Sequence, residues 1–377
     1  MRTEPAIPAA SLAAIRAPLE AETATRAEPP IMQPLNLFLD LAGEAMRARL
    51  FVVQADGREE ACLRPELTIP VARQHVASGA AAGRYTYEGK AFRAMPRGGG
   101  AAHSEEFLQI GLEAYGDIGI EVEAQIVALA WRSANAGGRG DLSLRLGDAA
   151  LFSAFLDGIG VSAAAGGRLR RAFGRPALTE TLLDRVEAAP ARESAGRLAE
   201  VLSGLSEDDA AGLLEELWSL AGIRPVGGRP AGEIVGRLIR RGAEGVSSIS
   251  EDQAEQVRRY LAIDGEPTAA LDAVGKLAAA SGADLSPLLD GWSERLTAVA
   301  AAGAPLDRAR FCAGFGRGFG YYDGFLFDVV SQALGEDRAV AGGGRYDSLL
   351  VRLGSAHPSG AVGCMVRPGR ACQEAAE

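Results

Sequence analysis

Two stretches of the chain carry side chains whose types and spacing could do chemistry. The first holds Glu66 and Thr68 in Leu63-Arg64-Pro65-Glu66-Leu67-Thr68, Arg93 in Phe92-Arg93, and Gln109 and Glu113 in Phe107-Leu108-Gln109-Ile110-Gly111-Leu112-Glu113. The second, some two hundred residues on, holds Arg317, Tyr321 and Tyr322 in Gly316-Arg317-Gly318-Phe319-Gly320-Tyr321-Tyr322-Asp323, followed by Ala341-Gly342-Gly343-Gly344-Arg345-Tyr346-Asp347. Carboxylates, guanidinium groups, an amide and phenols together supply an anionic pole, a cationic pole and polar partners for a side chain. That is the equipment for holding a small zwitterion. A pole buried without a partner is costly, so the presence of both signs in one set is informative.

Each residue also has a plainer reading when taken singly. Glu66 can be an acid placed at a helix N-terminus, Thr68 a cap, and Arg93 a solvated arginine. Gln109 and Glu113 differ by four, so on a strand they share a face, with Leu108, Ile110 and Leu112 on the buried opposite face. Tyr321 and Tyr322, if on a strand, point to opposite faces, so at most one meets a ligand. The glycines around them permit close backbone approach, or mark a bulge or turn. No helix start follows this run, so a dinucleotide fingerprint is unsupported, and Gly342-Gly343-Gly344-Arg345 lacks the Lys-Ser/Thr of a phosphate loop. His75, His103 and His357 have no Ser or Cys elbow nearby and read as surface or loop residues. Cys62, Cys312, Cys364 and Cys372 read as buried packing residues. A Cys/His zinc site is not expected, and no metal or cofactor is called for.

The elements that must position these residues follow from pattern and punctuation. Residues 6–27 read as one Ala-rich helix ended by Pro29-Pro30. An extended segment at Ile31–Leu37, a helix over 38–48 and a strand at Leu50–Ala55 come next, with a turn at Asp56-Gly57 and a return over Arg58–Leu63. Pro70–Ala77 is helical. Arg84–Arg93 and Glu106–Tyr115 form an antiparallel hairpin with a glycine-bearing loop over 94–102. A helix at 119–134 and a strand at Leu142–Leu146 follow. From 150 to 300, Ala and Leu recur at helical spacing, as in Leu213–Leu220 and Ala254–Leu261, broken at Gly166-Gly167 and Gly227-Gly228. Strand signals return at Arg310–Gly314, Gly324–Val330 and Arg338–Gly342; Tyr346–Leu353 is a helix and Gly360–Val366 a strand or a helix start. Two β-rich parts flanking an α-rich part give an α+β sheet domain interrupted by an insert.

Composition narrows the class. With 377 residues the chain exceeds the roughly 250–300 residues at which single cores stop growing. A net charge of −10 argues against DNA or tRNA as a partner, since phosphate binding needs clustered Lys and Arg. No apolar stretch is long enough to span a bilayer, and the first thirty residues, with Glu20, Glu22 and Glu28, do not read as a secretory signal. Four cysteines in so long a chain fit a reducing compartment, so a cytoplasmic protein is expected.

Taken in order, Arg-Pro-Glu-x-Thr, Phe-Arg, Phe-x-Gln-x-Gly-x-Glu, Arg-Gly-x-x-Tyr-Tyr and Gly-Gly-Gly-Arg-Tyr-Asp resemble the catalytic core of histidyl-tRNA synthetases over residues 29–115 and 313–363. The departures are as telling. The acid expected two positions after the Phe-Arg is Met95, the loop arginines are replaced by His103, Ser104 and Glu105, and the last motif, Gly-Leu-Glu-Arg, reads Arg367-Pro368-Gly369-Arg370. Pro368 is a poor residue for the helix this motif needs. Adenylation needs a metal-bridged ATP clamped by acids and arginines, and too few remain; the chain also ends without an anticodon-binding domain. This combination is similar to the regulatory subunits of ATP phosphoribosyltransferase, and Pro30-Ile31-Met32-Gln33-Pro34 with Phe38–Glu44 resembles that family's dimer-forming first motif.

The resemblance implies a class II aminoacyl-tRNA synthetase-like antiparallel sheet flanked by helices, its core formed by 1–149 and 301–377, with a helical insertion over 150–300. It implies a non-catalytic subunit that activates the short catalytic subunit of ATP phosphoribosyltransferase, in the first step of histidine biosynthesis, and contributes to histidine feedback inhibition. A homodimer within a hetero-octamer-like assembly is expected, with no nucleic acid or membrane partner. By position, Glu66 and Thr68 would meet the α-amino group of L-histidine, Gln109, Arg93 and Arg317 its carboxylate, and Glu113 with Tyr321 or Tyr322 its imidazole. Two other readings stay open: a degenerate enzyme that still activates histidine, and a stand-alone histidine sensor.

Overall fold

The computed structural model describes all residues except 1–2, 43, 55–58, 95–103, 185–208, 211, 214–215, 217–248, 318, 357–358 and 374–377. Its elements run α1 (Ala9–Glu20), β1 (Thr25–Ala27), β2 (Met32–Pro34), α2 (Leu35–Ala42), a 3-10 turn (Glu44–Arg49), β3 (Val52–Val53), β4 (Ala61–Leu63), α3 (Thr68–Ser78), β5 (Gly83–Phe92), β6 (Glu106–Gly116), α4 (Ile120–Asn135) and β7 (Leu142–Asp148). Next come α5 (Ala149–Gly158), α6 (Ala163–Ala172), α7 (Pro176–Leu183), α8 (Glu251–Leu261), β8 (Asp264–Gly265), α9 (Pro267–Ala280) and α10 (Ser286–Ala301). The chain closes with β9 (Ala309–Cys312), β10 (Phe325–Ser331), β11 (Ala341–Arg345), α11 (Asp347–Arg352), β12 (Gly360–Val366) and α12 (Pro368–Ala371).

Nine strands form one sheet in the order β1-β5-β6-β12-β11-β10-β7-β9-β8, and β2-β4-β3 form a small second sheet. In the large sheet β1 with β5 and β7 with β9 are parallel, and the other pairs are antiparallel. The β5–β6 hairpin stands as expected, with Phe92 opposite Glu106. Alternation along β6 then sorts its side chains. Ile110, Leu112 and Ala114 join α1, α4 and α5 in one core. Phe107 and Tyr115 join α2, α3 and α11 in a second core on the other face. Gln109 and Glu113 share the odd-numbered face, so they point into that second layer.

Several elements differ from the sequence reading. The helix expected over 6–27 ends at Glu20, and Thr25–Ala27 pairs with Tyr85–Tyr87 as an edge strand. Pairing with the exposed edge of β5 outweighs the helical preference of an Ala-rich segment. The helix expected over 38–48 is divided into α2 and the 3-10 turn. The strand expected at Arg338–Gly342 lies at Ala341–Arg345, hydrogen-bonded on both sides to β10 and β12; a triple glycine reads as loop, yet in a central strand it only removes side chains. Gly360–Val366 is a strand. His75 is not a surface residue: it is 3% exposed, its ring stacks on Tyr115 at 4.4 Å, and its Nδ1 lies 3.1 Å from the Tyr85 hydroxyl. Burial holds its pKa below the ordinary histidine value.

All four cysteines are buried and free. Helices α5 and α10, from the segment read as an insert, share the core that covers the central strands. Leu213–Leu220 lies mostly, and the Asp56-Gly57 turn, Gly98–Gly100, His103, Gly227-Gly228 and His357 wholly, outside the described residues. No described helix is long and apolar enough to cross a membrane.

Candidate functional site

The second core layer positions a polar slot directly over the middle of the large sheet. Glu66, Thr68, Arg93, Gln109, Glu113, Arg317, Tyr321 and Tyr322, all eight residues singled out above, line it. The free space between their side chains is about 20 Å³. The slot is narrow, with room for little more than one water.

At one end, the chain entering α3 bends so that the Glu66 carboxylate accepts hydrogen bonds from the Thr68 and Ile69 amides, each 2.8 Å. Those amides open the helix and have no partner within it. The plain reading of Glu66 as a helix-end acid and its place in the slot are therefore the same arrangement. Thr68 Oγ1 donates to Glu113 Oε1 at 2.7 Å, and the Tyr346 hydroxyl donates to Glu113 Oε2. Two buried carboxylates thus sit close together. Burial pushes the Glu66 carboxyl up to about 6, against the helix amides and Arg93, which pull it down. Burial pushes Glu113 up to about 8; the Tyr346 and Thr68 hydroxyls oppose this, and the neighbouring Glu66 charge adds to it. Such a pair titrates as a unit, and a cation placed between the two acids would draw protons from them.

The opposite charge comes from Arg93 and Arg317. Arg93 Nε donates to the Pro65 carbonyl at 2.8 Å, and its guanidinium lies against Phe107 and Phe319, 5.2 and 5.0 Å from their ring centres. Burial lowers its pKa to about 10, with Arg49 adding to the effect and Glu66 opposing it, so it stays charged at neutral pH. Arg317 is ion-paired with the buried Asp328 on β10 and lies over the Tyr322 ring.

Gln109 Nε2 donates to the Tyr87 hydroxyl at 3.3 Å. Its Oε1 is buried with no hydrogen-bond partner; with the amide turned over, Oε1 would accept from the Tyr87 hydroxyl and Nε2 would be the free donor.

The glycines of β11 and β12 make the slot possible. A Cβ on Gly363 would lie 1.6 Å from Glu113 Oε2, and one on Gly342 would lie 1.9 Å from Arg317 Nη1. Only a bare backbone leaves room for the charged groups that cross it.

One expectation fails here. Tyr321 and Tyr322 are on an irregular loop and not on a strand, so alternation does not separate them. Their rings lie 4.6 Å apart and both line the slot. Sequence reasoning also missed Tyr346, which lies in the quoted Gly-Gly-Gly-Arg-Tyr-Asp run but has no role there, and Asp328, for which the sequence offers no signal. Arg370 does not line the slot; its Nη1 donates to the Ala339 carbonyl at 2.9 Å. Pro368 opens α12 at its first position, where a missing N–H is harmless, so it does not prevent this short helix. Met95 lies outside the described residues. Among the described residues no group of three or more His, Cys, Asp or Glu side chains could hold a metal ion.

A family model described as histidyl-tRNA synthetase matches residues 25–225 and 231–368. A protein of Mesorhizobium japonicum named ATP phosphoribosyltransferase regulatory subunit is 35% identical over 341 residues, 87% of each chain. A protein of Brucella anthropi with the same name is 34% identical over 359 residues, 93% of each chain. Among solved structures, an ATP phosphoribosyltransferase regulatory subunit/histidyl-tRNA synthetase from Bacillus halodurans superposes with a TM-score of 0.64 at 18% identity, covering 97% of this chain and 78% of that one. Histidyl-tRNA synthetase from Nostoc superposes with a TM-score of 0.60 at 16% identity, covering 96% and 69%. At these identities the superpositions establish the fold, a class II synthetase-like sheet.

Proposed function

Because the chain belongs to the family of ATP phosphoribosyltransferase regulatory subunits, built on the histidyl-tRNA synthetase fold, we propose that its slot binds free L-histidine and passes that signal to a separate catalytic chain. The protein is a non-catalytic subunit of ATP phosphoribosyltransferase and serves histidine biosynthesis. Its partner is the catalytic subunit. In our reading that partner is the short form, which this chain activates and makes sensitive to histidine. The two assemble in the cytoplasm as a hetero-octamer-like complex around homodimers of this chain. We read residues 1–149 with 301–377 as the synthetase-like unit and 150–300 as a helical insertion.

The observation that carries the histidine reading is the convergence of all eight residues on one slot with a charge of each sign. Glu66 and Thr68 face the α-ammonium group; Arg93, Arg317 and Gln109 take the carboxylate; Glu113 with Tyr321 and Tyr322 reads the imidazole nitrogens, which need polar partners. Histidine is larger than the free space, so binding widens the slot, and the irregular Phe319–Tyr322 segment is the part of the wall that can yield. A ligand that favours the widened form shifts a two-state equilibrium, with coupling typically of ~1–3 kcal/mol.

Two measurements test this. Calorimetry with histidine is expected to give saturable binding that Glu113→Ala weakens. Mixing the chain with a short-form catalytic subunit is expected to raise turnover and confer histidine inhibition; unchanged turnover and unchanged histidine response sink the regulatory reading. Histidine-dependent ATP–pyrophosphate exchange by this chain alone would instead favour an activating enzyme, and purification from its own cells without a phosphoribosyltransferase would favour a stand-alone sensor.

A further inference from the structure

Next to the slot lies a larger groove of about 600 Å³, bounded by α6, α11 and the loop that carries Arg317. Five arginines line it, Arg170, Arg171, Arg175, Arg317 and Arg352, against two carboxylates, Asp40 and Asp323. This excess runs against the composition of a chain with net charge −10.

The nearby acids are mostly engaged elsewhere. Asp323 accepts the Asp347 and Ser348 amides at the start of α11, at 3.1 and 2.7 Å. Asp157 is taken by Arg170. Asp328 is divided between Arg317 and Arg145. Arg352 donates to the main-chain oxygens of Asp40 and Leu41, at 2.6 and 3.0 Å, and among the described residues no carboxylate pairs with it. Arg171 is exposed, and among the described residues no carboxylate pairs with it. Arg175 stands close enough to Arg49 to oppose its charge, and Arg49 and Arg317 both oppose that of Arg93. A row of like charges in an acidic protein is unfavourable alone and favourable once a ligand brings several anionic oxygens.

The remaining wall is aromatic. Phe173 stacks on Phe152 at 4.7 Å and 16°, and the partly exposed Phe319 and Tyr322 lie beside it. A concave site of this size with a flat apolar wall and a few charged groups suits a small molecule. Arg93 and Arg370 do not line it.

We propose that this groove binds a phosphorylated small molecule, its phosphoryl oxygens held by Arg171 and Arg352 and its organic part laid against Phe173 and Tyr322. The site stands whether or not the slot binds histidine. Arg317, Phe319 and Tyr322 line both cavities, so occupancy of one alters the other.

The test is titration calorimetry of the full chain with inorganic pyrophosphate, then ribose 5-phosphate and AMP, at fixed ionic strength. Saturable pyrophosphate binding is expected, weakened about tenfold or more by Arg171→Ala and by Arg352→Ala, as loss of a charge-assisted contact implies. Arg132→Glu, an exposed position on α4 outside both cavities, should change it less than twofold. Tighter binding of AMP than of ribose 5-phosphate would identify a nucleotide; the reverse would identify a sugar phosphate. Absence of saturation up to about 10 mM, equal weakening by Arg132→Glu, or full displacement of pyrophosphate by an oligoglutamate peptide would overturn the proposal. Pyrophosphate is expected to shift histidine affinity at least threefold. An unchanged affinity overturns the coupling, whereas a chain that binds pyrophosphate and never histidine overturns the earlier reading and leaves this one.

Discussion

Thr68 and Glu113 are 45 residues apart in sequence and are joined by a 2.7 Å hydrogen bond from Oγ1 to Oε1. The bond ties the first turn of α3 to the middle of β6, and the Tyr346 hydroxyl closes on the other oxygen of the same carboxylate. Glu113→Ala leaves both hydroxyls buried without an acceptor, at a cost of ~1–3 kcal/mol for each unsatisfied group. Glu113→Gln keeps one oxygen and a similar volume, and a hydroxyl can rotate to accept from the amide. We expect Gln to cost less than ~1 kcal/mol and Ala clearly more, as read from urea denaturation at neutral pH.

The same pair sets a pH dependence. Glu113 and Glu66 have folded-state pKa values pushed up to about 8 and about 6, above the ~4.3 of an unfolded glutamate. The folded protein therefore holds more protons than the unfolded chain in this window. Their contribution to stability is complete below the unfolded value and is lost as pH rises through 6 and then 8. The denaturation midpoint should fall across this range, and Glu113→Gln should flatten its upper part. At about pH 7, where free imidazole is mostly neutral and the α-amino group mostly charged, placing the α-ammonium group between the two acids should release protons from the pair. Calorimetry in buffers of different ionisation heat would show this; proton uptake would contradict the placement of the cation.

Gly363→Ala puts a methyl group 1.6 Å from Glu113 Oε2 and 2.7 Å from the Tyr346 hydroxyl. Both neighbours are ends of side chains, so the strand can persist while the carboxylate is displaced. A stability loss of ~1–3 kcal/mol is expected from overpacking, together with at least tenfold weaker histidine binding. Thermal denaturation and calorimetry on one sample separate the two. Unaltered binding would mean that Glu113 does not touch the ligand.

The parts of this site legible in sequence were those set by short periods. Gln109 and Glu113 share a face because β6 alternates, and the apolar side of that alternation packs beneath α4. The parts that were not legible depend on neighbours distant in the chain. Tyr346 reaches Glu113 across 233 positions. Tyr321 and Tyr322 escape alternation because their loop is fixed by packing on Tyr346 and not by a strand ladder. The glycines of β11 read as loop because their value lies in the space they leave for Arg317 and Asp328. Edge pairing of Thr25–Ala27 with β5 is likewise invisible to helical propensity.

Asp328 carries the final prediction. Its carboxylate, 5% exposed, pairs with Arg317 from the slot loop and with Arg145 from β7, the latter at 3.0 Å. Arg145 has a second acid, Glu336, at 2.8 Å; among the described residues no second carboxylate pairs with Arg317, which otherwise meets the Phe327 carbonyl, at 3.3 Å, and Tyr322. Removing the shared acid therefore harms Arg317 more. Asp328→Asn should cost ~3–5 kcal/mol, the usual penalty for stranding a buried charge, and Arg317→Met in that background should recover part of it, since the stranded group is then gone. A double-mutant cycle by urea denaturation measures this coupling. Strict additivity would mean that Asp328 does not hold Arg317, and that the slot's second cation is positioned by the aromatic loop alone.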